Sequence, residues 1–394
     1  MRRFRRLRTK LATRCIILNI LIVKLSSLGD VVHTMPAVQD IRRALPQAQV
    51  DWVVEPGFAP LVQRCDGVHR VIPCALRQWR TTWWQASTRA AWAAFRADLA
   101  RTRYDAVIDC QGLTKSALIA RCAQLTPTGK RYALANRTDG SGYERPTRWL
   151  ADVAVPVPAH IAAVARARLQ CALALGYSLQ PADTTLEGPN LEHFGLVTQV
   201  NTAQAAIKTV AFIHGTSRAD KCWSQDNWQQ LGQRLLAQGY GIALLHGNAQ
   251  EELRSQHIAQ ALRAYEGAQA LSVGNTQQNP AQIQVWPRLP LDALTDRLAQ
   301  CAGAIGVDSG LSHIAVALDL PHVQLYNFDT AWRTGPQGRL RQRSVVAQPQ
   351  PSVDAVWDAW LAVRAAAPVQ ATELPLQNIK PAIKPALLHK AANA

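Results

Sequence analysis

Four short loops hold residues whose types and spacing suit chemistry. In "KLSSLGDVVHT" (Lys24 to Thr34) a glycine and an acid stand where an apolar run turns into a helix. Gly29 permits a tight turn and a close backbone approach by a ligand, and Asp30 is placed to cap the helix. Capping alone explains such an aspartate. The alternative is a general base, which requires a carboxylate within hydrogen-bond reach of the proton it removes. His33, one turn further on, reads as a partner or a wall of the same site.

"GVDSGLSH" (Gly306 to His313) also follows an apolar run and opens a helix. Backbone amides and the helix dipole make such a start an anion site that fits a diphosphate. Ser309 and Gly310 bring donors close, Asp308 fixes the turn, and His313 can face the same ligand; an Asp/Ser cap with a core histidine is the plainer reading. In "HGTSRADKCW" (His214 to Trp223), Thr216 and Ser217 offer hydroxyls and Lys221 a point charge for a phosphoryl oxygen. A solvated surface loop would look the same. "HGNAQEE" ends in Glu251 and Glu252, able to accept from ribose hydroxyls, although paired acids also simply favour a helix start.

Basic and aromatic residues interleave in "LRQWRTTWWQASTRAAWAAFR" (Leu76 to Arg96). The strip suits nucleic acid, an anionic headgroup, or a helix with tryptophans turned inward and arginines outward. The last reading fits most of its alanine-rich part, and Arg77 and Arg80 are the arginines placed to face a cleft. The chain has no P-loop, no G-x-G-x-x-G after the first apolar run, no H-E-x-x-H and no D-x-D pair. Kinase-like, NAD-linked and metallopeptidase functions lose support accordingly.

The elements that must position these loops alternate. "NILIVKL", "QVDWVVE", "HRVIP" and "YDAVIDC" read as strands, with helices over Pro36 to Leu45 and Arg89 to Arg101. After a polar interval near Ser178 to Ala206 the pattern returns in "TVAFIHG", "GIALLHG", "GAIGVDSG" and "HVQLYN", with helices near Asn227 to Gln238, Ala249 to Ala264 and Leu291 to Cys301. Strands alternating with helices argue for parallel sheets in an α/β fold. Two such domains leave a cleft at the carboxyl ends of their strands, where open parallel sheets bind ligands. The expected divisions are a basic extension over 1–14, a first domain over 15–185, a linker over 186–206 and a second domain over 207–350. A helix over 351–367 follows, with Val353, Val356, Trp357, Trp360 and Leu361 on one packing face. The tail over 368–394 has little to bury and is expected to be disordered.

Composition sets outer bounds. A chain of 394 residues exceeds the size at which single cores stop growing, about 250 to 300 residues. No stretch reaches the roughly 20 apolar residues that span a bilayer. The formal charge of +16 favours phosphate-bearing partners: nucleic acid, anionic lipid or nucleotide substrates. "MRRFRRLRTKLATR" contributes to it, as a headgroup-binding segment or as a plain extension. Eight cysteines without a C-x-x-C pair indicate neither a zinc cage nor a disulfide framework, and the chain is expected in the cytoplasm.

Taken together, "ILIVKLSSLGDVVHTMPA", "DWVVE", "RVIP", "YDAVIDCQGLTKSA", "TSRADKCW" and "GVDSGLSHIAVAL" resemble the bacterial lipopolysaccharide heptosyltransferases of the inner core, glycosyltransferase family 9. The resemblance implies a GT-B fold, two facing Rossmann-like domains, with ADP-heptose held mainly by the second. It implies an inverting transfer to the Kdo sugar of Kdo-lipid A that needs neither metal nor cofactor, on the cytoplasmic face of the inner membrane. Asp30 matches the catalytic base. Thr216, Ser217 and Lys221 match the donor-phosphate loop, and Asp308, Ser309, Gly310 and His313 the donor-binding helix start. Glu251 or Glu252 matches the ribose ligand; Ser27, Gly29, Arg77, Arg80 and Lys115 fall on the acceptor side. Ser217 stands where a threonine is usual, and "YNFDTAWRTGP" replaces a Gly-Pro-Thr loop. The rivals are the second heptosyltransferase, another nucleotide-sugar enzyme, and a non-catalytic basic protein that binds membranes or nucleic acid.

Overall fold

The computed structural model describes residues 17–179, 194–199, 208–273, 283–336 and 340–366, side chains of 270–273 excepted. The extension over 1–14, the tail over 368–394 and all of 186–206 except 194–199 lie outside the described residues. Among the described residues no helix is long and apolar enough to cross a membrane.

The strands form two parallel six-stranded sheets. The first contains β1 (Asn19–Val23), β2 (Gln49–Val54), β3 (Val68–Pro73), β4 (Arg103–Asp109), β5 (Gln124–Leu134) and β6 (Val153–Val155), in the order β3-β2-β1-β4-β5-β6. The second contains β7 (Thr209–Ile213), β8 (Gly241–Leu244), β9 (Ile283–Val285), β10 (Gly303–Val307), β11 (His322–Tyr326) and β12 (Gln342–Val346). Its order, β12-β11-β10-β7-β8-β9, is the same one read from the other edge. Both sheets therefore reverse direction beside their first strand, between β1 and β4 and between β7 and β10. At such a switch point the loops diverge and leave a crevice.

The central strands read as unbroken apolar runs because helices cover both of their faces. Ile20 and Ile22 point to one side, under helices Met35–Ala44 and Ala163–Leu175. Leu21 and Val23 point to the other, where Phe95, Leu99 and Ile119 from helices Ala86–Leu99 and Thr114–Cys122 meet them. Each such side chain contributes about 1.5–3 kcal/mol on burial. The end helix, Val353–Ala365, packs on β11 and β12 through Val353, Val356, Trp360 and Val363. Leu361, expected on that face, is 39% exposed, and Val363 fills the stripe instead. Trp360 sits over Gly303, where a Cβ would come within 2.7 Å of its ring.

The domains face each other and touch. The short helix Leu28–Val32 packs on helix Gly310–Ala317, and their apolar side chains belong to one continuous core. Arg64 pairs with Asp296 at 2.8 Å across the same boundary. This is the GT-B architecture expected from the sequence.

Candidate functional site

The loops after β1, β7 and β10 converge on one cleft of about 920 Å³ between the domains. Its first wall is built at the switch point of the first sheet. The amides of Leu25 and Ser26 both donate to Gln111 Oε1 at 3.1 Å, tying the loop after β1 to the loop after β4. Ser27, not Asp30, is the N-cap of helix Leu28–Val32. Asp30 is the third residue of that helix, and its Oδ2 accepts from the Ser27 hydroxyl at 2.9 Å and the Ser27 amide at 3.3 Å. The expected cap is thus shared by two residues, and it leaves Oδ1 free of Ser27.

Two cations flank Oδ1: Lys24 Nζ at 3.6 Å and Arg166 Nη2 at 3.7 Å. Both bases are nearly buried, whereas the Asp30 side chain is 35% exposed to the cleft. Burial by itself raises the Asp30 pKa, but Lys24, Arg166, His33 and the Ser27 hydroxyl outweigh it and hold the group below the ordinary carboxylate range. Burial lowers Lys24 and Arg166, against the pull of Asp30. The sequence points to Arg77, Arg80 and Lys115 as first-domain cations but to neither Lys24 nor Arg166. Lys24 lay inside the quoted motif, whereas Arg166 comes from helix Ala163–Leu175, where nothing in the local pattern marks it.

The opposite wall is centred on Asp308. Lys221 Nζ meets its Oδ2 at 2.5 Å, Thr334 donates to Oδ1 at 3.3 Å, and Thr216 donates to the Asp308 carbonyl at 3.1 Å. Ser309 is the N-cap of helix Gly310–Ala317, so the first amides of that helix open toward the cleft. Asn327, within the segment that replaces the Gly-Pro-Thr loop, donates to the carbonyls of Asp220 and Cys222 at 2.9 and 3.0 Å and so clamps the turn carrying Lys221. The same segment reaches the first domain: Arg333 donates to the Gly140 carbonyl at 3.0 Å, and Trp332 stacks on His160 at 3.8 Å.

His33 and His313 close the gap between the walls, with ring centroids 4.2 Å apart. Burial lowers the pKa of both, helped at His33 by the neighbouring His313 and opposed at His313 by Asp308 and Asp30. Both are neutral rings at ordinary pH.

The expected residues do not all meet here. Ser27, Gly29, Asp30, Thr216, Ser217, Lys221, Glu251, Asp308, Ser309, Gly310 and His313 line the cleft. Glu251 accepts from the Gly247 amide at 2.7 Å and stands against Gly215, where a Cβ would be 2.5 Å from its carboxyl carbon. Glu252 is not among the lining residues. Arg77 and Arg80 are exposed outside the lining; Arg77 pairs with Glu55 at 2.9 Å and reaches Ser26 Oγ at 3.5 Å. Lys115, in the first turn of helix Thr114–Cys122, also lies outside the lining. Arg288, Arg333 and Thr334 line the cleft and were not anticipated.

A family model described as glycosyltransferase family 9 (heptosyltransferase) matches residues 92–356. Lipopolysaccharide heptosyltransferase 1 of Pseudomonas aeruginosa is 36% identical over 328 residues, covering 82% of each chain. The protein of that name from Escherichia coli K12 is 35% identical over 314 residues, 78% of this chain and 88% of the relative. The solved E. coli heptosyltransferase WaaC with ADP-2-deoxy-2-fluoro heptose superposes with a TM-score of 0.69 at 31% identity, covering 86% of this chain and 98% of that one.

Proposed function

The chain belongs to glycosyltransferase family 9, the heptosyltransferases, and on that footing we propose that it moves a heptose from ADP-heptose to the Kdo of Kdo-lipid A in lipopolysaccharide inner-core synthesis. One observation carries the reading: Asp30 of the first domain and the Lys221–Asp308 pair of the second line the same cleft, so an acid and an anion nest face each other across room for a sugar.

In the mechanism this supports, Asp30 Oδ1 accepts the proton of a Kdo hydroxyl as that oxygen attacks the anomeric carbon of the heptose. ADP departs from the opposite face, so the configuration inverts. A carboxylate with a depressed pKa is a weak base, but it is fully ionised and correctly placed at the working pH, and the sugar hydroxyl becomes acidic only as its new C–O bond forms. Lys24 and Arg166 fix the carboxylate in its ionised state and orient Oδ1. His33 and His313, both neutral, wall the reaction from water.

Negative charge grows on the departing diphosphate. Lys221, the Ser217 hydroxyl and the amides at the start of helix Gly310–Ala317 are preorganised donors for it, and such donors need no rearrangement as the charge develops; the Thr216 hydroxyl would join them by turning its proton from the Asp308 carbonyl. Asp308 and Asn327 position Lys221. Glu251, rather than Glu252, is the candidate ribose ligand, because its carboxylate stands at the cleft. On the acceptor side, Ser27 and Gly29 form the floor beside Asp30; Arg77, Arg80 and Lys115 lie further out, where they would meet acidic groups on the rest of the lipid. The enzyme would work at the cytoplasmic face of the inner membrane, where such a lipid is assembled.

The test is ADP release from ADP-heptose with Kdo-lipid A as acceptor. Turnover with that pair supports the reading. No release with it, but release with a heptosylated acceptor or with another nucleotide sugar, would keep the fold and replace the substrates.

A further inference from the structure

The strip from Leu76 to Arg96 does not fold as a helix with all its tryptophans inward. Trp79 is buried and Trp92 packs against it at 5.5 Å, but Trp83 and Trp84, in the turn between helices Leu76–Thr81 and Ala86–Leu99, are 51% and 72% exposed. Arg89 donates to the Trp84 carbonyl, and Thr82 and Thr88 hydrogen-bond at 2.8 Å, so the turn that presents them is built. The tryptophans the core needs, Trp52, Trp228 and Trp360, are fully buried.

The exposed pair continues into a groove of about 550 Å³ between helices Ala86–Leu99 and Thr114–Cys122. Trp83 lies 6.3 Å from Trp92, and Trp92, Ala93, Ala97 and Ala100 form its apolar side. Arg96 and Arg121 stand on its rim, and the exposed Leu118 shares a helix face with Arg121. From Leu76 to Ala97 there are four arginines, at 77, 80, 89 and 96, and no acid. Arg121 adds to the field, lowering the pKa of the neighbouring Arg131, which burial lowers first and Asp152 opposes.

We propose that this face, Trp83, Trp84 and the groove rimmed by Arg96 and Arg121, seats the protein on an anionic phospholipid bilayer. Tryptophan prefers the headgroup boundary, where its indole is half in hydrocarbon and half in water. Arginines with no acidic neighbours on the strip match lipid phosphates. The face begins where the acceptor side of the cleft ends, since Arg77 touches Ser26 beside the Asp30 loop. A bilayer lying against it would offer the sugar of an embedded lipid to that side. This rests on the heptosyltransferase reading only for its purpose; the surface itself is tested without turnover.

The full chain is sedimented with vesicles of phosphatidylglycerol and phosphatidylcholine, and with phosphatidylcholine alone, at low and high salt. Binding only to the anionic vesicles is expected, weakened by salt. Trp83→Ser/Trp84→Ser is expected to weaken it on the order of tenfold or more, and Arg96→Gln and Arg121→Gln about fivefold each. The arginine variants change exposed side chains and keep the test valid if the tryptophan variant fails to fold. Both are expected to retain turnover with a water-soluble acceptor lacking acyl chains. Unchanged vesicle binding in the variants, equal binding to neutral vesicles, or loss of duplex-DNA binding instead of vesicle binding would overturn the proposal. Vesicle binding that behaves as expected in a protein inactive on Kdo-lipid A would leave it standing and remove the functional reading.

Discussion

Gly29 and His313 meet across the cleft so closely that a Cβ on residue 29 would stand 2.6 Å from His313 Cδ2, and Gly310 makes the reciprocal approach to Leu28, with 2.7 Å from a would-be Cβ to that side chain's own Cβ. The two domains close glycine against side chain twice where the first turns of one helix pair meet. The Leu28 contact cannot yield by swinging a flexible side-chain tip, so Gly310→Ala is expected to push the helices apart. Misplacing reactive groups by about 1 Å can cost on the order of a hundredfold in rate. Expected outcomes are a larger radius of gyration by solution scattering and a fall in kcat/KM of at least about tenfold, with each domain still folded.

Acid is expected to weaken the fold through its buried histidines. Burial lowers His33 and His313 and holds His214 at about 3 and His322 at about 4. Because the unfolded chain takes up these protons near its ordinary value of about 6.5, stability drops as pH falls below that value. Asp109, which burial pushes up to about 6, acts in the opposite sense, since its folded form keeps a proton the unfolded chain releases. With four histidines against one acid, the thermal midpoint is expected to fall from about pH 7 to about pH 5. His33→Asn is expected to make that fall shallower, which melting curves across the range would check.

Arg166 is expected to set the acid limit of activity. Its guanidinium helps hold Asp30 ionised, so the wild-type kcat/KM profile loses activity only below the ordinary carboxylate range. Arg166→Gln lets the Asp30 pKa rise, and the acid limb moves to higher pH. An unmoved limb would show that Arg166 acts only as packing.

The role proposed for Lys221 bears on donor binding. Removing a charged hydrogen-bond partner costs about 1.5–3 kcal/mol, so Lys221→Met is expected to weaken ADP binding about ten- to a hundredfold. Calorimetry with ADP measures this without the acceptor.

How much of this was legible follows from where each segment lies in the fold. The central strands β1, β2, β4, β7, β8, β10 and β11 are buried on both faces and read directly as apolar runs. β5 ("QLTPTGKRYAL") is exposed or half-buried except for its last three residues and β12 ("QRSVV") except for its first, so neither reads as an apolar run, and β6 and β9 have three residues each, too few for a period to emerge. Helix Ala163–Leu175 was hidden because it buries arginines: Arg168 forks onto Asp40 at 2.6 and 2.9 Å, and Arg166 turns to Asp30. The cleft residues stood out because strand-end loops concentrate Gly, Ser, Asp and Lys in short motifs. Arg166 and Arg333 did not, because folding alone brings Arg166 to Asp30 and Arg333 to the cleft. The outward turn of Trp83 and Trp84 was not legible, because the strip fits three readings and these two residues precede the alanine-rich part in which a helical period shows.

The most direct measurement compares wild type and Asp30→Asn in ADP release with ADP-heptose and Kdo-lipid A, alongside ADP affinity and thermal midpoint. A loss of turnover of about a hundred- to ten-thousand-fold, with ADP affinity and folding preserved, is expected. Near-normal turnover in Asp30→Asn would contradict the assignment of Asp30 as the base facing the Lys221–Asp308 wall.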